Sequence, residues 1–359
     1  MEVNAKSQRI SGLDFLKAFA ICGVIAIHVP LFKVDFINNP TAGSFLQYAL
    51  RLLIEGVPIF MAINGFLLFK KRNFNIKQHF KKTFRLFLIF LIWGVIITVI
   101  CTSLDNPSQK LSIPFIIKSI LYVKPGGAPP SVLWFIQELI AVYLIFPIFK
   151  KVYDTDFQIF KYVFLVFFIL FITSNIIILS RDFAATFSNT NIFSDLLFSI
   201  KRFNIIDTKW CLFYFLLGGM IYHYIDIIKN KRTILLIIGL TAWLFSFFFG
   251  LATSELQRTV YNQTFNFSSL FFPFILVAMF ALVLPMKNDN KIKNIISKIG
   301  QNTMGIYLTH MIFISIFYYI IPTERFIERL LFCIITLFAS FILTICTQKQ
   351  MLLKIMSIK

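Results

Sequence analysis

"LDFLKAFAICGVIAIHV", residues 13–29, is apolar enough to cross a bilayer, yet it carries Asp14, Lys17 and His28. A charged side chain at membrane depth costs ~2.5–3.5 kcal/mol on insertion scales, so such residues face the protein interior and mark a site. Lys17 and His28 are eleven residues apart. Eleven residues of helix turn through ~1100°, which returns to within ~20° of the same face. Asp14, three residues before Lys17, falls on nearly that face as well. One side of this helix therefore lines up an acid, a cation and an imidazole, with a rise of ~16 Å between Lys17 and His28. Such a line suggests a path through the membrane more than one compact cluster. Each residue also has a local reading. Lys17 snorkels to an interface or pairs with Asp14, and His28 serves as a helix–helix hydrogen-bonder. A shared face is harder to explain by both together.

The rest of the chain is of the same kind. Of its 359 residues 58% are hydrophobic and only 14% charged, where a soluble domain holds about a quarter charged. Mean hydropathy is +0.80. The formal charge of +19 does not imply nucleic acid, because the basic residues sit in short clusters between apolar runs and not along one face. Ten runs approach the ~20 residues a spanning helix needs: 12–34, 50–69, 84–103, 132–150, 158–180, 208–228, 232–252, 268–286, 300–321 and 326–347. The expected fold is an all-α polytopic membrane protein. A stretch at 111–123, interrupted by Pro114 and Lys118, reads as an interfacial or re-entrant piece. Cytoplasmic loops concentrate Lys and Arg. With the N-terminus inside, 22 of the 35 basic residues fall on the inner side, seven of them in 70–85. This places both termini in the cytoplasm and the long connections 104–131 and 181–207 outside.

The first run is too long, and too charged, for a cleaved signal peptide. The five cysteines (22, 101, 211, 333 and 346) lie in or beside apolar runs with no metal-ligand spacing, and read as small hydrophobes. Residues 1–359 form one membrane domain, without an internal repeat or soluble appendage. In the outer connection, "KPGGAPP" (124–130) sets a turn just before "LWFIQEL", which either shapes an outward-facing site or merely joins two helices.

Other spans contribute polar residues. Glu55 opens the second span at a depth near His28, where a carboxylate would hold the imidazole's second nitrogen and fix its tautomer. Trp134 and Glu138 enter the fourth span from outside, although a lone Trp is also an interfacial anchor. His310, in "GIYLTHMIF", is mid-span. His79, in the basic inner loop, and His223, near an inner helix end, are expected to be solvated.

The stretch 13–29 resembles the first helix of the membrane acyltransferase 3 family, whose signature is an Arg, ten residues, then a His. Here Lys17 stands at the Arg position and His28 at the His position; the charge is kept but the planar fork of Arg is lost. "GVPIFMAINGFLL" (56–68) is similar to the second-helix pattern, with Asn64 in place of Ser. "KTFR" (82–85) is similar to the family's Arg-x-x-Arg entry to the third helix, with Lys82 for the first Arg and Arg85 for the second. "LWFIQELIAVYLIFP" (133–147) and "NTMGIYLTH" (302–310) match two further stretches. The resemblance covers about residues 9–347. It implies an enzyme that moves an acyl group, usually acetyl, from cytoplasmic acyl-CoA to a hydroxyl of a polysaccharide, lipopolysaccharide or lipid-linked glycan, in the cell's plasma (inner) membrane. It also implies a stand-alone form, without the extracytoplasmic hydrolase-like domain of some members. On this reading Lys17, Lys82 and Arg85 hold the acyl-CoA, and His28 is the general base oriented by Glu55. Asp14, Asn64, Trp134, Glu138 and His310 bind substrate. Acyl-CoA is a co-substrate, no metal is called for, and the partners are the donor, the glycan and the bilayer. The competing expectation is a flippase or exporter of glycan without covalent chemistry. It fits the spans equally well but not the Lys17–His28 spacing.

Overall fold

A computed structural model of the chain describes residues 9–32, 36–121, 131–187, 209–257, 270–287 and 289–349. The "KPGGAPP" turn and residues 188–207 of the long outer connection lie outside the described residues. The described part is helical throughout, with no β-strand. In chain order the helices are α1 (Ser11–His28), α2 (Ala42–Arg51), α3 (Gly56–Phe69), α4 (Ile76–Asp105) and α5 (Ile113–Leu121). After a 3₁₀ turn (Ser131–Leu133) come α6 (Trp134–Thr155), α7 (Phe157–Phe187), α8 (Lys209–His223), α9 (Ile225–Asn230) and α10 (Arg232–Gln257). The last four are α11 (Phe272–Val283), α12 (Lys291–Gln301), α13 (Thr303–Tyr318) and α14 (Phe326–Lys349).

Among the described residues, seven segments are long and apolar enough to cross a membrane: Ser11–His28, Ala42–Phe69, Ile76–Asp105, Ser131–Thr155, Phe157–Ile176, Arg232–Glu255 and Phe326–Thr347. Three shorter apolar helices, Trp210–His223, Phe272–Val283 and Thr303–Tyr318, occupy the places of the other three expected spans. The chain is a multi-pass membrane protein. Breaks between helices follow local chemistry. Asn75 accepts from the Gln78 N–H at the start of α4, and Asp156 accepts from Gln158 and Ile159 at the start of α7, each satisfying donors left free in a first helical turn. The second span is two helices, α2 and α3, and not one. Pro58 clashes with the carbonyl four residues back in a continuous helix, so α3 starts at Gly56 with Glu55 at its N-cap position.

α1 lies at the centre, packed on α3, α11, α12, α13 and α14. Without a hydrophobic drive between helices in lipid, small residues that let backbones approach decide which helices meet. A side chain at Gly300 of α12 would strike the Asp14 carbonyl, and one at Gly12 would strike the carbonyl of Val283. Gly65 of α3 and Gly218 of α8 meet each other's helix the same way, at the Phe215 and Ala62 carbonyls. The interior is closed by aromatics packed edge-on or tilted, with Phe69 against Phe146, Phe160 and Phe215. Outward, α4 shows Phe80, Phe84, Phe87 and Ile92, and α10 shows Ile234, Ile237 and Phe245, all exposed. An apolar surface of this extent suits lipid and not water.

His79 departs from its solvated reading. His79, expected to be solvated, is buried on α4 with its Nε2 bonded to the Tyr143 carbonyl at 2.8 Å. The reason is that α4 begins at Ile76, eight residues before the expected span, and so carries His79 against α6 between Phe74 and Phe146. Lys150, the last residue of the expected span 132–150, is buried and donates to the last carbonyl of α3, Phe69, at 3.1 Å and to Asp154 at 2.6 Å. A cation at a helix C-terminus meets the negative end of its dipole.

Candidate active site

The polar residues of α1 sit against two consecutive helices, α12 and α13. At the first end of α1, Asp14 is 2% exposed. Arg9 grips its carboxylate with both fork arms, Nε to Oδ2 at 2.7 Å and Nη2 to Oδ1 at 3.1 Å. Ser297 of α12 donates to Oδ2 at 3.2 Å, and Lys17 Nζ stands 3.8 Å from Oδ1. A bidentate, charge-assisted pair of this kind is the strong form of the contact. Asp14, expected to bind substrate, is thus committed to holding the N-terminal segment and α12 on α1. Lys17 is only loosely engaged by it and stays partly exposed.

At the other end of α1, His28 is half-buried and faces His310 of α13, with ring centroids 5.4 Å apart. His310 is fully buried. Its Nδ1 lies 2.6 Å from the Tyr307 carbonyl, one helical turn earlier, while its Nε2 is buried with no hydrogen-bond partner among the described residues. Tyr307 is itself anchored, its hydroxyl donating to the Val132 carbonyl in the 3₁₀ turn before α6. Arg329 of α14 closes this end. It donates to the carbonyl of Leu31, just past α1, and to those of Thr323 and Glu324. Between the two polar ends, Ala18, Ile21, Val24 and Ile25 are buried in the apolar core. The line of polar residues is therefore two sites on one face with a packed apolar stretch between them.

The residues from other spans form separate groups. Glu55 is buried and held by Arg51 at 3.2 Å, with the Tyr214 ring of α8 close enough to sense its charge. It was expected to orient His28. The imidazole's ring partner is instead His310, because the break at Leu52–Glu55 sets Gly56 against Ala20 and Val24, a turn or more back from His28. Asn64 bridges α3 to α6, donating to the Phe60 carbonyl and accepting from the Tyr143 hydroxyl at 2.7 Å. Trp134 pairs with Trp210 at 5.7 Å, and Glu138 meets Cys211. Lys82 and Arg85 are exposed on the first turns of α4, where Lys82 neighbours Lys71. Burial first, then the Lys82 charge, holds the Lys71 ammonium below the usual lysine range. An anion placed between them relieves that repulsion. Two cavities of about 230 and 580 Å³ flank α1, one against α14 and one against α10 and α11, and their linings are apolar and include neither histidine.

The arrangement offers an imidazole at the C-terminal end of a central helix and a cationic group about three turns earlier on the same face. The sequence model of the acyltransferase 3 family, described as an acyltransferase domain, matches residues 10–345, nearly the whole chain. The chain belongs to that family. No curated protein and no solved structure matches it. As a membrane acyltransferase, it carries Lys17 and His28 about three turns apart on one central helix. Sequence reading singled out His28 and His310 separately but not Arg9, Ser297, Tyr307, Lys71 and Arg329, which the structure sets beside these groups. Tyr307 was accessible to it, since the Tyr-x-x-His spacing of "IYLTH" puts both on one helix face; the other four depend on tertiary contacts.

Proposed function

We propose that this acyltransferase takes an acyl group, acetyl in the simplest case, from acyl-CoA at the cytoplasmic side. It delivers the group to a hydroxyl of an envelope glycan across the plasma membrane. The observation that carries the reading is the pairing of His28 with His310 at the C-terminal end of α1, about three turns beyond Lys17, within a chain of this family. Both termini and the 70–85 connection lie in the cytoplasm on this reading, as the distribution of Lys and Arg supports. Lys17, with Lys82, Arg85 and the neighbouring Lys71, then meets the phosphates of the donor. His28 takes the proton of the acceptor hydroxyl, a role worth about 10²–10⁴-fold in rate. Trp134 with Trp210 and the Glu138 carboxylate stand on the acceptor's side, where flat rings and an acidic group suit a sugar.

The test is the glycan itself. Deleting the gene should leave surface glycan at its normal amount but without an alkali-labile ester, read by mass spectrometry before and after mild base. Unchanged ester content overturns the proposal. Impermeant cysteine labelling of the 70–85 connection in intact cells checks the direction, and labelling there contradicts it.

A further inference from the structure

We propose that His310 is a positioning residue for His28, the two forming a histidine relay whose tautomers are set by the Tyr307 carbonyl. This rests on the acyl-transfer reading and adds a residue to it. A backbone carbonyl only accepts, so the His310 nitrogen facing it at 2.6 Å, Nδ1, carries the proton. A neutral imidazole has one N–H, so Nε2 is left as a bare lone pair. That lone pair is buried and unpartnered among the described residues, and a buried acceptor calls for a donor. The imidazole beside it is His28. Their ring centroids are 5.4 Å apart and the rings tilted by 47°, so no bond joins them in this geometry, but a rotation of the His28 side chain brings one of its nitrogens to Nε2. His310 itself has no exposed surface and does not touch the acceptor, whereas His28 is partly exposed.

The charge logic follows. When one nitrogen of His28 donates to His310, its other nitrogen is the lone pair, free to take a proton from a hydroxyl. As the acceptor O–H bond breaks, its proton passes to His28 and the oxygen forms the new bond to the acyl carbon. The C–S bond of the thioester breaks, and the thiolate receives the proton from His28. Atoms and charge balance, and His310 keeps its single proton throughout. Its part is to hold the His28 tautomer and to stabilise the imidazolium, as the carboxylate does in a serine hydrolase triad.

The experiment uses the full chain in nanodiscs. His310→Leu removes the acceptor at nearly constant volume, and His310→Gln restores an oxygen close to the Nε2 position. Expected are a fall of about 100-fold in kcat for His310→Leu with KM for the donor within about twofold, and a loss of no more than about tenfold for His310→Gln. With its acceptor gone, His28 holds a proton less well, so the acidic limb of the rate profile should move to lower pH in His310→Leu. Equal kcat values and profiles for wild type and His310→Leu, or equal losses for both variants, overturn the relay. A second measurement does not depend on activity. With only four histidines in the chain, nitrogen-15 spectra of histidine-labelled protein are assignable. His310 should show the Nδ1–H tautomer, and His310→Leu should shift the His28 signals. An Nε2–H tautomer at position 310, or His28 signals unmoved by the substitution, overturns the relay. Absence of ester formation by wild-type protein defeats the acyl-transfer reading instead.

Discussion

At one end of α1 both oxygens of Asp14 are engaged, by Arg9, Ser297 and Lys17, and a glycine of α12 lies against its backbone. At the other end His310 presents a buried nitrogen with no partner among the described residues, facing a partly exposed His28. Both groups are polar residues in apolar surroundings on the same helix face, and composition treats them alike. The difference is satisfaction. A closed network stabilises the fold and leaves little to offer a ligand. A network with one open position is where a reacting group can be received, because filling it is favourable. The same contrast separates Asn64, whose amide is used at both ends, from the histidine pair.

Breaking the contrast starts with the open end. His28→Ala should reduce acyl transfer by about 10²–10⁴-fold while protein accumulation and thermal unfolding in detergent stay close to wild type, since the ring is partly exposed at the end of its helix. Product mass spectrometry at matched protein level checks this, and a stability loss that accounts for the activity would place His28 among the structural residues. At the closed end, Arg9→Ala should do the reverse. It removes two charge-assisted bonds to a buried carboxylate, which lowers stability by about 1.5–3 kcal/mol and leaves the specific activity of the folded fraction within about twofold. Detergent melting curves beside single-turnover assays separate the two effects.

Lys17 stands between these extremes, 3.8 Å from Asp14 and only partly exposed. Lys17→Ala should raise KM for acyl-CoA by about tenfold, roughly 1.4 kcal/mol, with kcat little changed. Lys17→Arg should stay close to wild type because the charge is kept. A kcat loss without a KM change would remove Lys17 from donor binding. The smallest effect is expected from Tyr143→Phe. It leaves the Asn64 oxygen without its donor, costing about 1 kcal/mol of stability, and activity should follow stability with no separate loss.

The location of the open and closed ends was partly legible beforehand. The helical period alone puts Asp14, Lys17 and His28 on one face, and that face does meet α12 and α13. The period does not reveal that Arg9, five residues before Asp14 and outside the helix, folds back onto it. Glu55 was placed beside His28 by its position in the second span. Pro58 was visible in the sequence, but the offset it imposes appears only once Gly56 is seen against Ala20 and Val24. His79 was misread because a basic loop and the first turns of a helix look alike in composition. Only Tyr143 and the aromatic rings around it show that it is buried.

By itself, then, the sequence determined the solvent and the class. Runs near twenty apolar residues oblige helices, because in lipid every backbone group must be satisfied within its own segment. The motif spacings carried the family, and the helical period carried the face. Tertiary structure decided the partners: Arg9 and Ser297 for Asp14, Arg51 for Glu55, Tyr143 for Asn64, and His310 for His28. The physical reason is that helix formation in a membrane is a local property of the chain. Which helices meet, and at what height, depends on small residues such as Gly12, Gly65, Gly218 and Gly300 admitting a neighbouring backbone. That is a relation between segments up to hundreds of residues apart, and no local pattern contains it.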